Sequence, residues 1–267
     1  MDRFGETAGL VDLEEFPSWI IYEDDNFIAL NKPGWLVCHP SKNGPLSSLV
    51  GAAREFLKAE VLHPVSRLDR ETSGVVLLAK NHNAASAAQK AVSNKGLVGK
   101  KYLAFLDGHI KASSITVAQP LAEDKKSLVH IKNCCAIQKL SAKDAATIFR
   151  PLALSTKGDK KFTLAEVEIL TGRKHQIRAH ALWLKHSVAG DKIYGVDETL
   201  YLDFVEKGFT EEMAKVLPIK RQALHAYEMD FSKVFDNLVL RAPLPKDLLD
   251  FAATYGIEIP QKFVNNK

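Results

Sequence analysis

Cysteine is scarce in this chain of 267 residues: Cys38 stands alone, and Cys134 and Cys135 are adjacent. That pattern offers neither the pairs of a disulfide framework nor the spaced ligands of a zinc site, and it fits a reducing compartment. No run approaches the roughly 18 apolar residues of a membrane span. The opening, MDRFGETAGLVDLEEF, carries acids and no apolar core of signal-peptide length. A cytoplasmic protein with no membrane partner is therefore expected. A dinucleotide-binding glycine fingerprint, a P-loop and a metal-ligand cluster are all missing, so none of those three sites, a metal site included, is expected. His175, His180 and His186 do not change this, because steps of five and six residues scatter them around a helix. Charge of one sign is not in large excess either. The balance of 36 Lys and Arg against 32 Asp and Glu leaves +4, which permits an RNA partner without demanding one.

What is present is a globular composition, 46% hydrophobic and 25% charged, in a chain long enough to bury a sizeable core. Residues 1–17 read as an N-terminal extension, too short to be a domain, and 18–267 as the folded remainder, whose length fits one large domain or two small lobes. WIIYEDDNFIALNKPGWLVCHPS (19–41) alternates strands with breakers at Asp24-Asp25-Asn26 and Lys32-Pro33-Gly34, predicting three strands. Leu49, Val50, Ala53, Phe56 and Leu57 recur at helical spacing. Val75 to Ala79 is apolar on both faces, as a central strand should be. Asn81 is placed to cap a helix running to about Ser93. Residues 107–160 read as a peripheral antiparallel region of short strands (114–118, 128–132 and 146–154). FTLAEVEIL (162–170) alternates as a half-buried strand before a predicted helix over 173–186. Two short helices are expected within 197–217, strand pieces at 227–231 and 237–242, and a closing helix after Pro245. Strands interspersed with helices, without regular βαβ alternation, give an α+β class.

The chemistry concentrates in HPVSRLDRETSGVVLLAK (63–80). Asp69 lies between Arg67 and Arg70, and neighbouring guanidinium groups favour the charged form of an acid, keeping it a nucleophile rather than a proton donor. Taken by itself, the stretch equally fits a surface loop with a local ion pair. RLDRETSG (67–74), however, resembles the catalytic motif of the RluA-type pseudouridine synthases. The chain has Ser66 where that family usually has His. Other blocks resemble the family's in the same order from about Trp19 to Leu249: the Asn-Lys-Pro turn, Lys-x-Tyr at 100–102, TGRKHQIR (171–178), GDKIYG (190–195) and RQALHA (221–226).

The resemblance implies a mixed, mostly antiparallel central sheet flanked by helices and loops, with a central active-site cleft, in a pseudouridine synthase catalytic domain. It implies conversion of a uridine within structured RNA, a tRNA or an rRNA, to pseudouridine, without cofactor. Many relatives carry a small RNA-binding domain ahead of the catalytic one. No room for it is seen here, so recognition is expected to fall to the catalytic domain. In this reading Asp69 is nucleophile or general base, Arg178 pairs with it, and Tyr102 lies beneath the target base. Arg67 fills the space that a flipped uridine leaves. Arg67, Arg70, Arg173, Lys174 and Arg221 are the candidate RNA contacts, and a monomer is expected. Asp191 reads as a turn residue satisfying backbone donors, and His225 has the alternative of a satisfied core histidine. Two other classes stay open. One is a catalytically silent RNA-binding protein, which could lose Asp69. The other is a glycoside hydrolase, which usually needs a second cooperating carboxylate.

Overall fold

Residues 73–79 contain no charged side chain, and in the structure, a computed structural model, they form a strand buried along its whole length. The structure describes residues 9–39, 43–94, 96–136 and 141–264. The chain divides into two compact units. The described part of the first falls within Met1–Lys100, His225–Pro245 and Lys262–Lys267, and that of the second within Lys101–Leu224 and Lys246–Gln261.

The first unit holds β1 (Ile20–Glu23), β2 (Phe27–Lys32), α1 (Leu49–Leu57), β3 (His63–Pro64), β4 (Ser73–Ala79) and α2 (His82–Ser93). The acidic turn between β1 and β2 forms because an Asp24 carboxylate oxygen accepts from the Asn26 and Phe27 amides at 2.8 and 2.6 Å. Ser48 caps α1 by accepting from Gly51, and Asn81 caps α2 by accepting from Ala84. β4 sorts its residues with period two. Val76 and Leu78 pack with Trp19, Trp35, Leu49 and Ala53, whereas Val75, Leu77 and Ala79 pack with Ala85 and Ala88 of α2. Val11 and Phe16 are buried in the first of these clusters, so the packed structure begins well before Trp19.

The strand expected after the Asn-Lys-Pro turn does not form. Val37 makes only an isolated bridge to Ser48, and the Leu36 carbonyl is taken by the Lys32 ammonium instead of a neighbouring strand.

The second unit takes β5 (Gly99–Asp107) from Lys101 onward, then β6 (Ile115–Val117), β7 (Leu121–Glu123), β8 (Asn133–Cys135), β9 (Thr147–Leu154) and β10 (Phe162–Ile169). These are followed by α3 (Gln176–Trp183), α4 (Thr199–Lys207) and α5 (Glu211–Val216). The chain returns to the first unit with β11 (Leu224–Asp230) and β12 (Val239–Arg241), and α6 (Lys246–Tyr255) completes the second. In the second unit the strands run β5-β10-β9-β6, all antiparallel, with β7 and β8 as a separate antiparallel pair. Residues 128–132, expected as a strand, close a turn in which the Lys132 amide donates to the Val129 carbonyl.

In the first unit β4 pairs antiparallel with β2 and β3 and parallel with β11, with His225 opposite Ser73 and Ala226 opposite Gly74. Gly74 has φ +113°, and a Cβ there would run into the Ala226 backbone, so the parallel pairing at the motif's end requires glycine. The class is α+β, mostly antiparallel, with helices and loops flanking the strands.

Candidate active site

The peptide around Asp69 has no strand partner, yet both its neighbours are tied down within the first unit. Lys32, at the end of β2 and completely buried, donates to the carbonyls of Pro33, Leu36 and Arg70 at 2.8, 2.7 and 2.9 Å. Arg70 Nε donates to the Trp35 carbonyl at 3.1 Å. On the other side of Asp69, the Leu68 amide and carbonyl both meet Cys38 Sγ at 3.4 Å. The Thr72 amide donates to the Asp69 carbonyl, closing the turn, after which Ser73 and Gly74 already belong to β4. Asp69 is half-buried, and Arg67 projects into solvent. Ser66 contacts Met229 Sδ at 3.6 Å.

In the second unit, TGRKHQIR folds into a loop and the first turn of α3. Gln176 organises the loop: its amide oxygen accepts from Thr171 Oγ1 and the Arg173 amide, and its nitrogen donates to the Ala146 carbonyl and Thr147. His175 enters the helix in the left-handed region, φ 57°, with its ring nitrogen 3.1 Å from the Tyr194 hydroxyl. Arg178 is buried and bidentate to Asp191, Nε to Oδ2 at 2.6 Å and Nη2 to Oδ1 at 2.8 Å. Its guanidinium lies over the Tyr194 ring, 5.0 Å from the centroid. Asp191 Oδ1 also accepts from the Ile193 and Tyr194 amides, as expected of the GDKIYG turn. Burial alone would push this carboxyl's pKa up, but the Arg178 charge and the backbone donors outweigh it and hold the pKa below the usual value. Two sequence blocks thus build one rigid mount for a guanidinium.

A family profile described as RNA pseudouridylate synthase matches residues 26–183. A pseudouridine synthase of Mycoplasma pneumoniae, itself described as uncharacterized, is 32% identical over 231 residues, covering 85% of this chain and 72% of the relative. The ribosomal large subunit pseudouridine synthase D of Xylella fastidiosa is 32% identical over 247 residues, 90% and 70% of the two chains. The chain belongs to the RluA-type RNA pseudouridine synthases. It is an isomerase that converts uridine in RNA to pseudouridine. The fold agrees: the solved human RNA pseudouridylate synthase domain containing 4 aligns with TM-score 0.71 at 24% identity over 93% of this chain and 97% of that one.

The synthase distributes the other candidate residues unevenly. Tyr102, in β5 opposite Val167, is half-buried. Arg173 and Lys174 are exposed on the loop before α3, with Arg173 Nε anchored to the Asp144 carbonyl. Arg70 is half-buried, its Nε already committed to Trp35. Arg221 is a correction. It is 1% exposed, chelates Asp247 at 2.6 and 3.1 Å and donates to the Gln222 and Leu224 carbonyls, so it is enclosed protein structure and cannot reach a phosphate. His225 is the satisfied core histidine, bridging Ser73 Oγ and the Ala242 carbonyl at 3.0 Å each. His180 is likewise enclosed between Thr147 and the Gln119 carbonyl, and burial lowers its pKa.

The sequence reading missed the roles of Lys32 and Cys38 beside the Asp69 loop, and the Arg178–Asp191 pair. A signal existed for Lys32, a lysine closing the apolar strand FIALNK directly before proline. None existed for Cys38, whose partner is thirty residues away.

Proposed function

We propose that Asp69 is the nucleophile or general base of this synthase, with Arg178 as its orienting cation and Tyr102 as the face against which the target base stacks. The observation that carries the reading is the loop itself: a half-buried carboxylate whose two neighbouring residues are both fastened, inside the family's catalytic motif. In the reaction the bond from the sugar's anomeric carbon to a ring nitrogen is broken and remade to a ring carbon. Fixing the anion in advance lowers the entropy that must be lost on reaching the transition state. Arg67, exposed beside Asp69, would fill the stack after the uridine flips out, offsetting a cost of a few kcal/mol.

The substrate is a structured rRNA or tRNA. Relatives that support this include the ribosomal large subunit synthase of Xylella fastidiosa and the mitochondrial tRNA pseudouridine(32) synthase of Saccharomyces cerevisiae, 32% identical over 182 residues. The latter match covers 68% of this chain and 38% of the yeast protein. The enzyme would act as a monomer in the cytoplasm. Among the described residues no helix is long and apolar enough to cross a membrane.

Asp69→Asn tests the assignment, because asparagine keeps the shape but neither attacks as an anion nor usefully accepts a proton. The expected result is no detectable pseudouridine on a mapped target RNA, with affinity at fixed salt unchanged or slightly tighter as a charge facing phosphate is removed. Turnover retained in a preparation free of deamidation would exclude Asp69 from the chemistry. Loss of fold and binding together would make it a structural ion-pair partner.

A further inference from the structure

Residues 32–38 form a strap alongside the catalytic loop, and every fastening between the two described above falls on Leu68 or Arg70, the residues either side of Asp69. We infer that Lys32 and Cys38 are positioning residues of the synthase, which act through this strap to fix the direction of the Asp69 carboxylate. The inference rests on Asp69 being the nucleophile or base.

The physical case begins with the cost of burying Lys32. A fully buried ammonium is tolerated only when its hydrogen-bond capacity is used, and Lys32 directs its three donors at three backbone carbonyls. Two of those carbonyls, Pro33 and Leu36, shape the strap. The third belongs to Arg70 in the catalytic loop, so one side chain sets the spacing between the two segments. Its base is rigid, because Lys32 sits opposite Gly74 in the β2–β4 ladder. The ammonium therefore refers the loop to the core strand into which the loop runs.

Cys38 completes the arrangement from the other flank. Its buried thiol meets both the amide and the carbonyl of Leu68 and so resists rotation of the peptide preceding Asp69. Thiol hydrogen bonds are weak, so Cys38 should matter less than Lys32. A strap that only stabilised the fold could be attached anywhere along 66–72. Attachment on both sides of the reacting residue is what controlling its direction requires, since a misplacement of about 1 Å can cost on the order of 100-fold in rate.

The test compares Lys32→Met, Cys38→Val and Cys38→Ser with Leu248→Ala, a core change in α6 outside the cluster that holds the strap. All are assayed on the same RNA at a temperature where circular dichroism shows each fully folded. Lys32→Met is expected to lower kcat by about tenfold or more and Cys38→Val by about threefold, with KM within about twofold of the parent. Cys38→Ser, which retains a donor and an acceptor, should recover part of the Cys38→Val loss, and Leu248→Ala should keep the parent's kcat. Parental kcat in Lys32→Met and Cys38→Val, an equal loss in Leu248→Ala, or a change confined to KM would overturn the inference. If Lys32→Met does not fold, the Cys38 pair decides. Asp69→Asn run alongside separates the two levels: if it retains turnover, the underlying assignment fails. If it is inactive while the strap variants turn over normally, only the positioning role fails.

Discussion

Arg178 shows how much a single side chain can depend on another. Its Nε and Nη2 edge is occupied by Asp191, a carboxylate with no solvent exposure of its side chain, and lysine would keep the charge while losing the planar fork. Arg178→Lys is therefore expected to cost about 2 kcal/mol of stability and to reduce kcat strongly, on the order of 10- to 100-fold, while RNA affinity changes little. Asp191→Asn leaves the arginine in place but removes its buried counter-charge, which should cost about 3 kcal/mol. Its kcat should fall because the guanidinium loses its mount. Single-turnover rates, thermal melts and binding titrations on both variants check this. Near-parental turnover in Arg178→Lys would remove Arg178 from the active site, and near-parental turnover in Asp191→Asn would show that the mount is dispensable.

At the scale of elements, local sequence gave away what local physics builds. Asn81 caps α2 as its amide chemistry requires, and β4 is buried on both faces because the run Val75 to Ala79 is wholly apolar. The paired short helices at 197–217 and the closing helix after Pro245 likewise follow from periodicity and breakers. What was not legible depends on tertiary partners. The helix expected over 173–186 shrinks to Gln176–Trp183 because His175 and Lys185 both take left-handed conformations that a helix cannot include. RQALHA does not reveal that Arg221 is enclosed by Asp247, twenty-six residues on. Lys32, legible only as part of the Lys32-Pro33-Gly34 breaker, is a buried crosslink. Asp107, ending β5, is another tertiary product: burial pushes its pKa up to about 6, with the Asp191 charge adding to the rise and Lys160 and His186 opposing it. Because the folded state holds this proton more tightly than the unfolded chain, stability falls as pH rises from about 4 to about 6 and the loss is complete above that. Asp107→Asn removes the penalty. Its melting temperature should match the parent's near pH 4 and exceed it by roughly 5–10 °C at pH 7. Equal melting temperatures across that range would show that the Asp107 carboxyl is not held protonated.

For the whole molecule, a net charge of +4 is too small to drive RNA binding by itself, so the position of the cations has to do it. Arg67, Arg173 and Lys174 are exposed; Arg70 is half-committed and Arg221 is enclosed. If the exposed three meet phosphates, each should contribute about 0.7 to 0.9 to the slope of log affinity against log salt. Replacing any one with alanine should flatten the slope by about that amount and weaken binding similarly across RNA sequences. Arg221→Ala should behave in the opposite way, leaving the slope unchanged while lowering stability by about 2 kcal/mol through loss of the Asp247 chelate. Binding titrations from low to physiological salt on the four variants, paired with thermal melts, separate the two groups. A parental slope in all three surface variants would move the phosphate track away from the Asp69 loop and the start of α3. A flattened slope in Arg221→Ala without loss of stability would mean that its enclosure opens when RNA binds.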